Sequence, residues 1–290
     1  MSELEKLIDR ADALLEKITQ LIPAPRPEPD WKTSIAFRWR KQNGLGYLQA
    51  VKHPHHVLPA DLQHVDEQKR RIEQNTRQFV RGLPANNILL TGARGTGKST
   101  LVKATLNKFA KSGLRLIEVD KGDLVDLPDI VDIVSERAEK FILFCDDLSF
   151  EANERGYKEL KVVLDGSIAA TSENVLIYAT SNRRHLMPEY MSENLETRHV
   201  GEEIHPGEAT EEKISLSERF GLWLSFYPFD QQAYLDIVDY WVQHFGSNAF
   251  DAENMRREAL QWTLMRGSRS GRVAWQFARD WVGRHGRIKS

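Results

Sequence analysis

Leu4, Leu7, Ile8, Ala11, Leu14, Leu15, Ile18 and Leu21 recur at intervals of three and four, so residues 1–22 spell an amphipathic helix with one apolar stripe. The alternating prolines Pro23, Pro25, Pro27 and Pro29 remove backbone donors and predict an extended connector. Residues 23–60 go on to mix Trp31, Phe37, Trp39 and Tyr47 with Lys32, Arg38, Arg40 and Lys41, with glycines at Gly44 and Gly46, and yield no legible element. From Asp61 the pattern becomes regular. A polar helix runs to Arg81, Gly82 and Pro84 break it, and short apolar runs then alternate with amphipathic ones. Strands are expected at Asn87–Leu90, Leu114–Val119, Phe141–Cys145, Val175–Ala179 and Leu222–Tyr227. Helices are expected at Ser99–Lys111, Ile130–Lys140 and Glu159–Ile168.

Strands separated by helices predict an α/β domain with a five-stranded parallel sheet covered on both faces, over residues 61–229. Beyond Phe229 only helical periodicity is left, near Gln231–Phe245, Asn254–Met265 and Arg272–Gly283, which predicts a small helical lid over residues 230–290. The polar, acidic stretch from Glu193 to Glu212 reads as a long mobile loop.

A chain of 290 residues with 41% hydrophobic content can bury such a core and still carry a small N-terminal extension. Forty basic against forty-two acidic residues leave a net charge of -2, so no global field draws the protein to nucleic acid or to an anionic membrane. No run approaches the roughly 20 apolar residues of a membrane span. The lone Cys145, in an apolar run, excludes an internal disulfide framework and points to the cytoplasm.

Gly92-Ala93-Arg94-Gly95-Thr96-Gly97-Lys98-Ser99 has the spacing of a Walker A loop and stands between a predicted strand and a predicted helix, where that spacing has mechanical meaning. Glycines permit positive φ, which turns backbone N–H groups inward, and the following helix presents its positive end to the same phosphates. Residues 92–100, Thr100 included, are therefore candidates for holding ATP, with Lys98 reaching the β- and γ-phosphates and Ser99 ligating Mg²⁺. Phe141–Cys145 followed by Asp146-Asp147 supplies the second half, because a buried strand delivers carboxylates at its C-terminal end. Asp146 is the candidate magnesium residue. Asp147 is the candidate that orients or deprotonates the attacking water, with Glu151 as the competing base. Asn182, closing the strand in Ala179-Thr180-Ser181-Asn182, is placed to contact the γ-phosphate and the water. Val65 to Gln68 and Ile72 either frame the base or pack on the core, since both explain their spacing.

The Ala179–Arg184 segment and Ser217-Glu218-Arg219-Phe220-Gly221 resemble the sensor 1 and arginine-finger motifs of AAA+ ATPases, and Gly271-Arg272-Val273-Ala274 is similar to sensor 2. Taken together, GARGTGKST, FILFCDDLSFE, YATSNRRHL and SERFG resemble an uncharacterised bacterial AAA+ family, a domain of unknown function, from about Asp61 to the end. The resemblance implies a five-stranded AAA+ core with a helical lid and an ATPase of unassigned pathway. It implies that Arg219 acts in trans on a neighbour's γ-phosphate and Arg272 in cis from the lid, with Arg269 as the alternative. A ring or open homo-oligomer follows, a hexamer among the options.

Three classes of function fit in unequal measure. The leading one is an oligomeric ATPase that remodels or loads a protein or nucleoprotein partner. A slow-turnover nucleotide switch or adaptor is the alternative, and a small-molecule kinase the third. Phe, Tyr and Trp are all missing between Phe109 and Phe141, which disfavours an unfoldase that grips substrate with an aromatic loop after the second strand. The Asp-Asp pair looks instead like that of bacterial replication initiators and helicase loaders. Nucleic acid is thus a candidate partner for the basic residues Arg256, Arg257, Arg266, Arg269, Arg272, Arg279, Arg284, Arg287 and Lys289, although a solvated helix face explains the same charges. The aromatic and basic mixture around Trp39 suits either stacking on single strands or packing within its own domain. His53, His55, His56 and His64 show no cysteine pair and no HExxH spacing, so they predict no metal site beyond that for Mg²⁺.

Overall fold

The structure, a computed structural model, describes residue 10 and residues 28–150, 155–165, 173–182, 198–200, 203–205, 216–246 and 251–285. The N-terminal amphipathic helix, all but the end of the proline connector, and Glu151 lie outside the described residues. Strands β1 (Ala36–Gln42) and β2 (Leu45–Ala50) precede helix α1 (Asp66–Val80), strand β3 (Ile88–Gly92) and helix α2 (Lys98–Phe109). Next come β4 (Leu114–Glu118), α3 (Leu127–Ser135), β5 (Lys140–Cys145), α4 (Arg155–Asp165) and β6 (Val175–Ser181). The short β7 (Arg198–Val200) and β8 (Glu203–His205) precede β9 (Leu222–Phe226). Helices α5 (Gln231–His244), α6 (Ala252–Arg266) and α7 (Gly271–His285) complete the order.

One mixed sheet of seven strands runs in the order β2-β1-β4-β5-β6-β3-β9. The expected count of five falls short because the aromatic segment read as featureless joins the sheet. β1 pairs in parallel with β4, and β2 folds back antiparallel on β1. The turn between them is Asn43-Gly44, both at positive φ, the dipeptide that matches the twist of a two-residue hairpin. The remaining strands pair in parallel. Within the stretch expected to be one long loop, β7 and β8 form a small antiparallel hairpin.

Strand alternation divides the core between the two faces of the sheet. Leu89, Leu143 and Ile177 face one side, where Ile130 and Val134 of α3 and Leu160 of α4 cover them. Leu90, Ile142, Phe144 and Tyr178 face the other, under Ile72 of α1 and Leu101 and Val102 of α2. The α3 helix starts earlier than its apolar spacing suggested because Pro128 sits in its first turn, where a missing N–H costs nothing, and it ends before Lys140, which opens β5. The last three helices share their own apolar centre, built around Tyr234, Val238, Met255 and Phe277, and Phe229 packs against both this centre and the sheet.

Trp31, Phe37 and Trp39 are buried, and a row of charge pairs fixes the hairpin that carries two of them. Arg38 meets Glu118 and Arg40 meets Asp120, each at 2.8 Å, while Lys41 meets Asp126 at 2.6 Å. Trp39 Nε1 donates to the same Asp126 at 2.8 Å. These partners belong to β4 and to the turn after it, so the aromatic and basic residues around Trp39 pack within their own domain. Gly46 lies against the Trp39 ring, and a Cβ there would fall 1.9 Å from Trp39 Cζ2. Gly46→Ala should therefore lower the unfolding free energy by about 1–3 kcal/mol in urea titration through overpacking. An unchanged midpoint and slope would contradict this account of the hairpin.

Candidate functional site

β3, β5 and β6 end side by side, with Thr91 opposite Ser181 and Cys145 opposite Ala179. The three predicted motif segments therefore emerge at one end of the sheet, at the carboxyl ends of its strands, where open α/β sheets bind ligands. The glycine loop begins at Gly92, whose φ of 128° and tight fit, with a would-be Cβ 1.9 Å from the Phe226 carbonyl oxygen, leave room for no side chain. Gly95 and Gly97 also have positive φ, and Thr96 Oγ1 braces the turn by donating to Ala93 O at 2.8 Å. Gly97 caps α2 without a side chain, which leaves the first-turn amides of that helix to an incoming anion.

Lys98 opens α2 and is only 6% exposed. Its Nζ donates to Gly92 O at 2.7 Å, Ala93 O at 2.8 Å and Asn182 Oδ1 at 3.0 Å. Burial lowers the pKa of Lys98, Asp147 and Asp146 oppose the shift, and the positive charges of Arg272 and Arg94 add to it. Asn182 in turn donates through Nδ2 to Asp147 Oδ1, so one amide links the lysine to the carboxylate. Ser99 Oγ donates to Asp146 Oδ1 at 2.6 Å. A hydroxyl and a carboxylate side by side are hard oxygen donors, and the pair fits a magnesium ion.

A cavity of about 660 Å³ opens over these groups. Arg94, Gly95 to Thr100, Asp146, Asp147, Asn182 and Arg272 line one end of it. The other end is walled by residues the sequence reading did not select, chiefly His55, Val57, Leu62, Ile237, Trp241 and Trp275. Val65 and Ile72 are not among them. Both are buried in the core beneath α1, so of the two readings of their spacing the packing one holds. Gln68 points away to donate to Ser225 O.

Helix α7 reaches the glycine loop with its first residues. The Arg272 amide donates to Gly95 O at 3.3 Å, and a Cβ on Gly95 would meet Ser270 Oγ at 2.7 Å. Arg269, the alternative to Arg272, is exposed and does not line the cavity. Farther along, Tyr240 of α5 donates to Asp61 Oδ1 at 2.6 Å, and His64 Nε2 lies 3.0 Å from Asp236. Arg219 stands apart from the cavity and pairs through Nε with Asp165 at 2.5 Å, at the end of α4. Thr180 was also overlooked, although it lies two residues before Asn182 and so on the same side of its strand.

Residues 32–285 match the family described as "Protein of unknown function (DUF815)". The chain belongs to this family. No curated protein matches this DUF815 sequence. Three solved structures of Thermotoga maritima RuvB mutants each share 16% identity with it over 76% of this chain, at TM-scores of 0.49, 0.47 and 0.47. The DUF815 chain spans 64% of the length of those chains, and a likeness so distant bears no weight on activity.

Burial, then the hydrogen bond and charge of Asp61, push the Tyr240 phenol up to about 12. An unfolded tyrosine titrates near about 10, so this contribution to stability is complete below that pH and is lost as pH rises through the folded value. Tyr240→Phe should cost about 1 kcal/mol at neutral pH. It should also flatten the fall in unfolding free energy between about pH 10 and about pH 12. Parallel alkaline profiles for wild type and variant would contradict the Tyr240–Asp61 bond.

Proposed function

We propose that this DUF815 chain binds ATP with Mg²⁺ and hydrolyses it as a P-loop ATPase of the AAA+ kind. The observation that carries the reading is the convergence of Lys98, the Ser99–Asp146 pair and the Asn182–Asp147 pair on one cavity at the end of β3, β5 and β6. Residues 61–229 act as the nucleotide-binding core, extended by the β1–β2 hairpin from the 23–60 segment, and residues 230–290 act as the lid. In the alternative reading as a switch, residues 1–22, whose spacing predicts a helix, dock the partners.

In this reading the amides of residues 92–100 cradle the phosphates, and Lys98 exchanges its carbonyl acceptors for β- and γ-phosphate oxygens. Ser99 and Asp146 hold the magnesium ion, which would neutralise charge on the same phosphates. Asp147 takes the proton of, or orients, the attacking water, and Asn182 keeps that carboxylate turned toward the phosphate end. Arg94 and Arg272 add positive charge at the rim, and Arg272 acts in cis from the lid. The aromatic end of the cavity, with Trp241 and Trp275, is where the adenine stacks.

Arg219 acts in trans. Its absence from the lining of its own cavity supports a role at a neighbour's site, and a homo-oligomer follows, a hexamer among the options. The work is remodelling or loading of a protein or nucleoprotein client. Support for nucleic acid weakens where the basic lid residues are internally engaged, Arg256 with Asp239, Arg284 with Asp280 and Glu258, and Arg279 over Trp275. No described helix is long and apolar enough to cross a membrane. The cytoplasm remains the proposed address, on the buried, unbridged Cys145. A slow-turnover switch is the second reading, favoured by the full set of acceptors on Lys98 and by Arg219 being held within its own chain.

Lys98→Ala should weaken fluorescent-nucleotide binding by at least about tenfold, the effect of losing one charge-assisted contact, and should abolish phosphate release. Wild-type values in both assays would remove the site. Arg219→Ala and Asp147→Asn subunits should each be inactive alone, and mixing them should restore turnover. Mixtures as inactive as their parents would show that sites are not shared. Tight binding with no phosphate release at any protein concentration would favour the switch.

A further inference from the structure

We propose that Thr180 is a positioning residue that aims both carboxylates of this site, Asp146 for the metal and Asp147 for the water. The inference rests on the nucleotide reading above and adds a residue that the motifs do not assign. Thr180 sits near the end of β6 and is 2% exposed, with its side chain turned toward the adjoining end of β5. Its hydroxyl donates to Asp146 Oδ1 at 2.5 Å and accepts the Asp147 amide N–H at 2.9 Å. Its carbonyl accepts the Leu148 amide at 2.7 Å. Three consecutive residues after β5 are thus tied to one threonine.

A hydroxyl has a single proton, and here that proton is committed to a carboxylate while a lone pair is committed to an amide, so the rotor has no freedom left. The bond to Asp146 is charge-assisted and part-buried, which makes it stronger than a neutral pair in water. Asp146 Oδ1 accepts from Ser99 as well, so the oxygen beside the candidate metal ligand is oriented by two hydroxyls, of which Thr180 is the more buried. The second bond matters because Asp147 adopts φ of 53°, a left-handed conformation that is uncommon for any residue with a Cβ. The Thr180 oxygen gives the amide of that residue a fixed partner, and in that conformation the Asp147 carboxylate meets Asn182. Loss of the hydroxyl would leave the Asp147 amide without its acceptor and Asp146 with one donor fewer. Thr180 lines the cavity, but its hydroxyl is engaged by the two aspartates, and its effect passes through them.

The test compares the full-length wild type with Thr180→Val, which keeps the shape without the hydroxyl, and with Thr180→Ser, which keeps the hydroxyl. Affinity for a methylanthraniloyl-labelled ADP is measured in EDTA and in Mg²⁺, and steady-state phosphate release gives kcat and KM. All three proteins should bind the labelled ADP equally in EDTA. Thr180→Val should lose about tenfold or more of the gain in affinity that Mg²⁺ gives, the scale on which removing a residue that orients a ligand weakens a metal site. It should lose kcat by a similar factor with KM little changed. Thr180→Ser should stay within about threefold of wild type, since only a methyl is removed. The proposal is overturned if Thr180→Val keeps the whole Mg²⁺ gain, if Thr180→Ser falls as far as Thr180→Val, or if EDTA and Mg²⁺ affinities drop together as for a misfolded site. Failure of the wild type to bind labelled ADP in either condition sinks the nucleotide reading and this proposal with it. A Thr180→Val protein indistinguishable from a binding-competent wild type sinks this proposal alone.

Discussion

A largely buried ammonium group must find acceptors, and the geometry around Lys98 is organised by that requirement. Two of its acceptors are carbonyls of the glycine loop itself, Gly92 and Ala93, and the third is the side chain of Asn182 on another strand. The loop can turn those carbonyls inward only because Gly92 takes a φ closed to other residues and packs against the Phe226 carbonyl of β9. Asn182 can reach the lysine only because β6 lies directly beside β3. The order of strands in the sheet and the glycine spacing in the loop are in this sense one constraint expressed twice.

The same contact sets the state of the rest of the site. With its hydrogen-bonding capacity filled, Lys98 holds Asn182, Asn182 holds Asp147, and Thr180 fixes both aspartates from below. A triphosphate has to offer Lys98 better acceptors than three neutral oxygens, which charged phosphate oxygens do. Depression of the lysine pKa by burial, and by Arg272 and Arg94, means that an arriving polyanion relieves an electrostatic cost already present. The C-terminal helices share in this arrangement. Helix α7 rests on Gly95 and helix α5 is tied to Asp61, so the glycine loop, these helices and the cavity wall are joined by direct contacts.

Much of this was legible because the signals were local. Four of the five expected strands, β3, β4, β5 and β6, are short apolar runs buried on both faces, and the loop, the aspartate pair and Asn182 are each spelled by adjacent residues at strand ends and a helix start. What escaped was made by contacts distant in sequence. The residues around Trp39 left packing and strand stacking both open because the partners of Arg38, Arg40 and Lys41, namely Glu118, Asp120 and Asp126, lie far along the chain. The hairpin itself had a readable cue, Asn43-Gly44 with apolar and charged residues alternating before it, but the mixture of aromatics and arginines hid the period of two. The aromatic end of the cavity is assembled from α5, α7 and the 55–63 segment, and no single window of sequence contains it. Val65 and Ile72 left two readings open for the converse reason, since helical spacing reports a buried face without saying what it is buried against.

The central claim is that this cavity receives a nucleoside triphosphate at its lysine end. The most direct measurement is a crystal structure of the full chain grown with Mg²⁺ and a non-hydrolysable ATP analogue. The account predicts phosphates against the amides of residues 95–100, Lys98 Nζ withdrawn from Gly92 and Ala93 toward them, and the metal between Ser99 and Asp146. An analogue bound elsewhere, or a cavity with Lys98 still on its three protein acceptors, would contradict it.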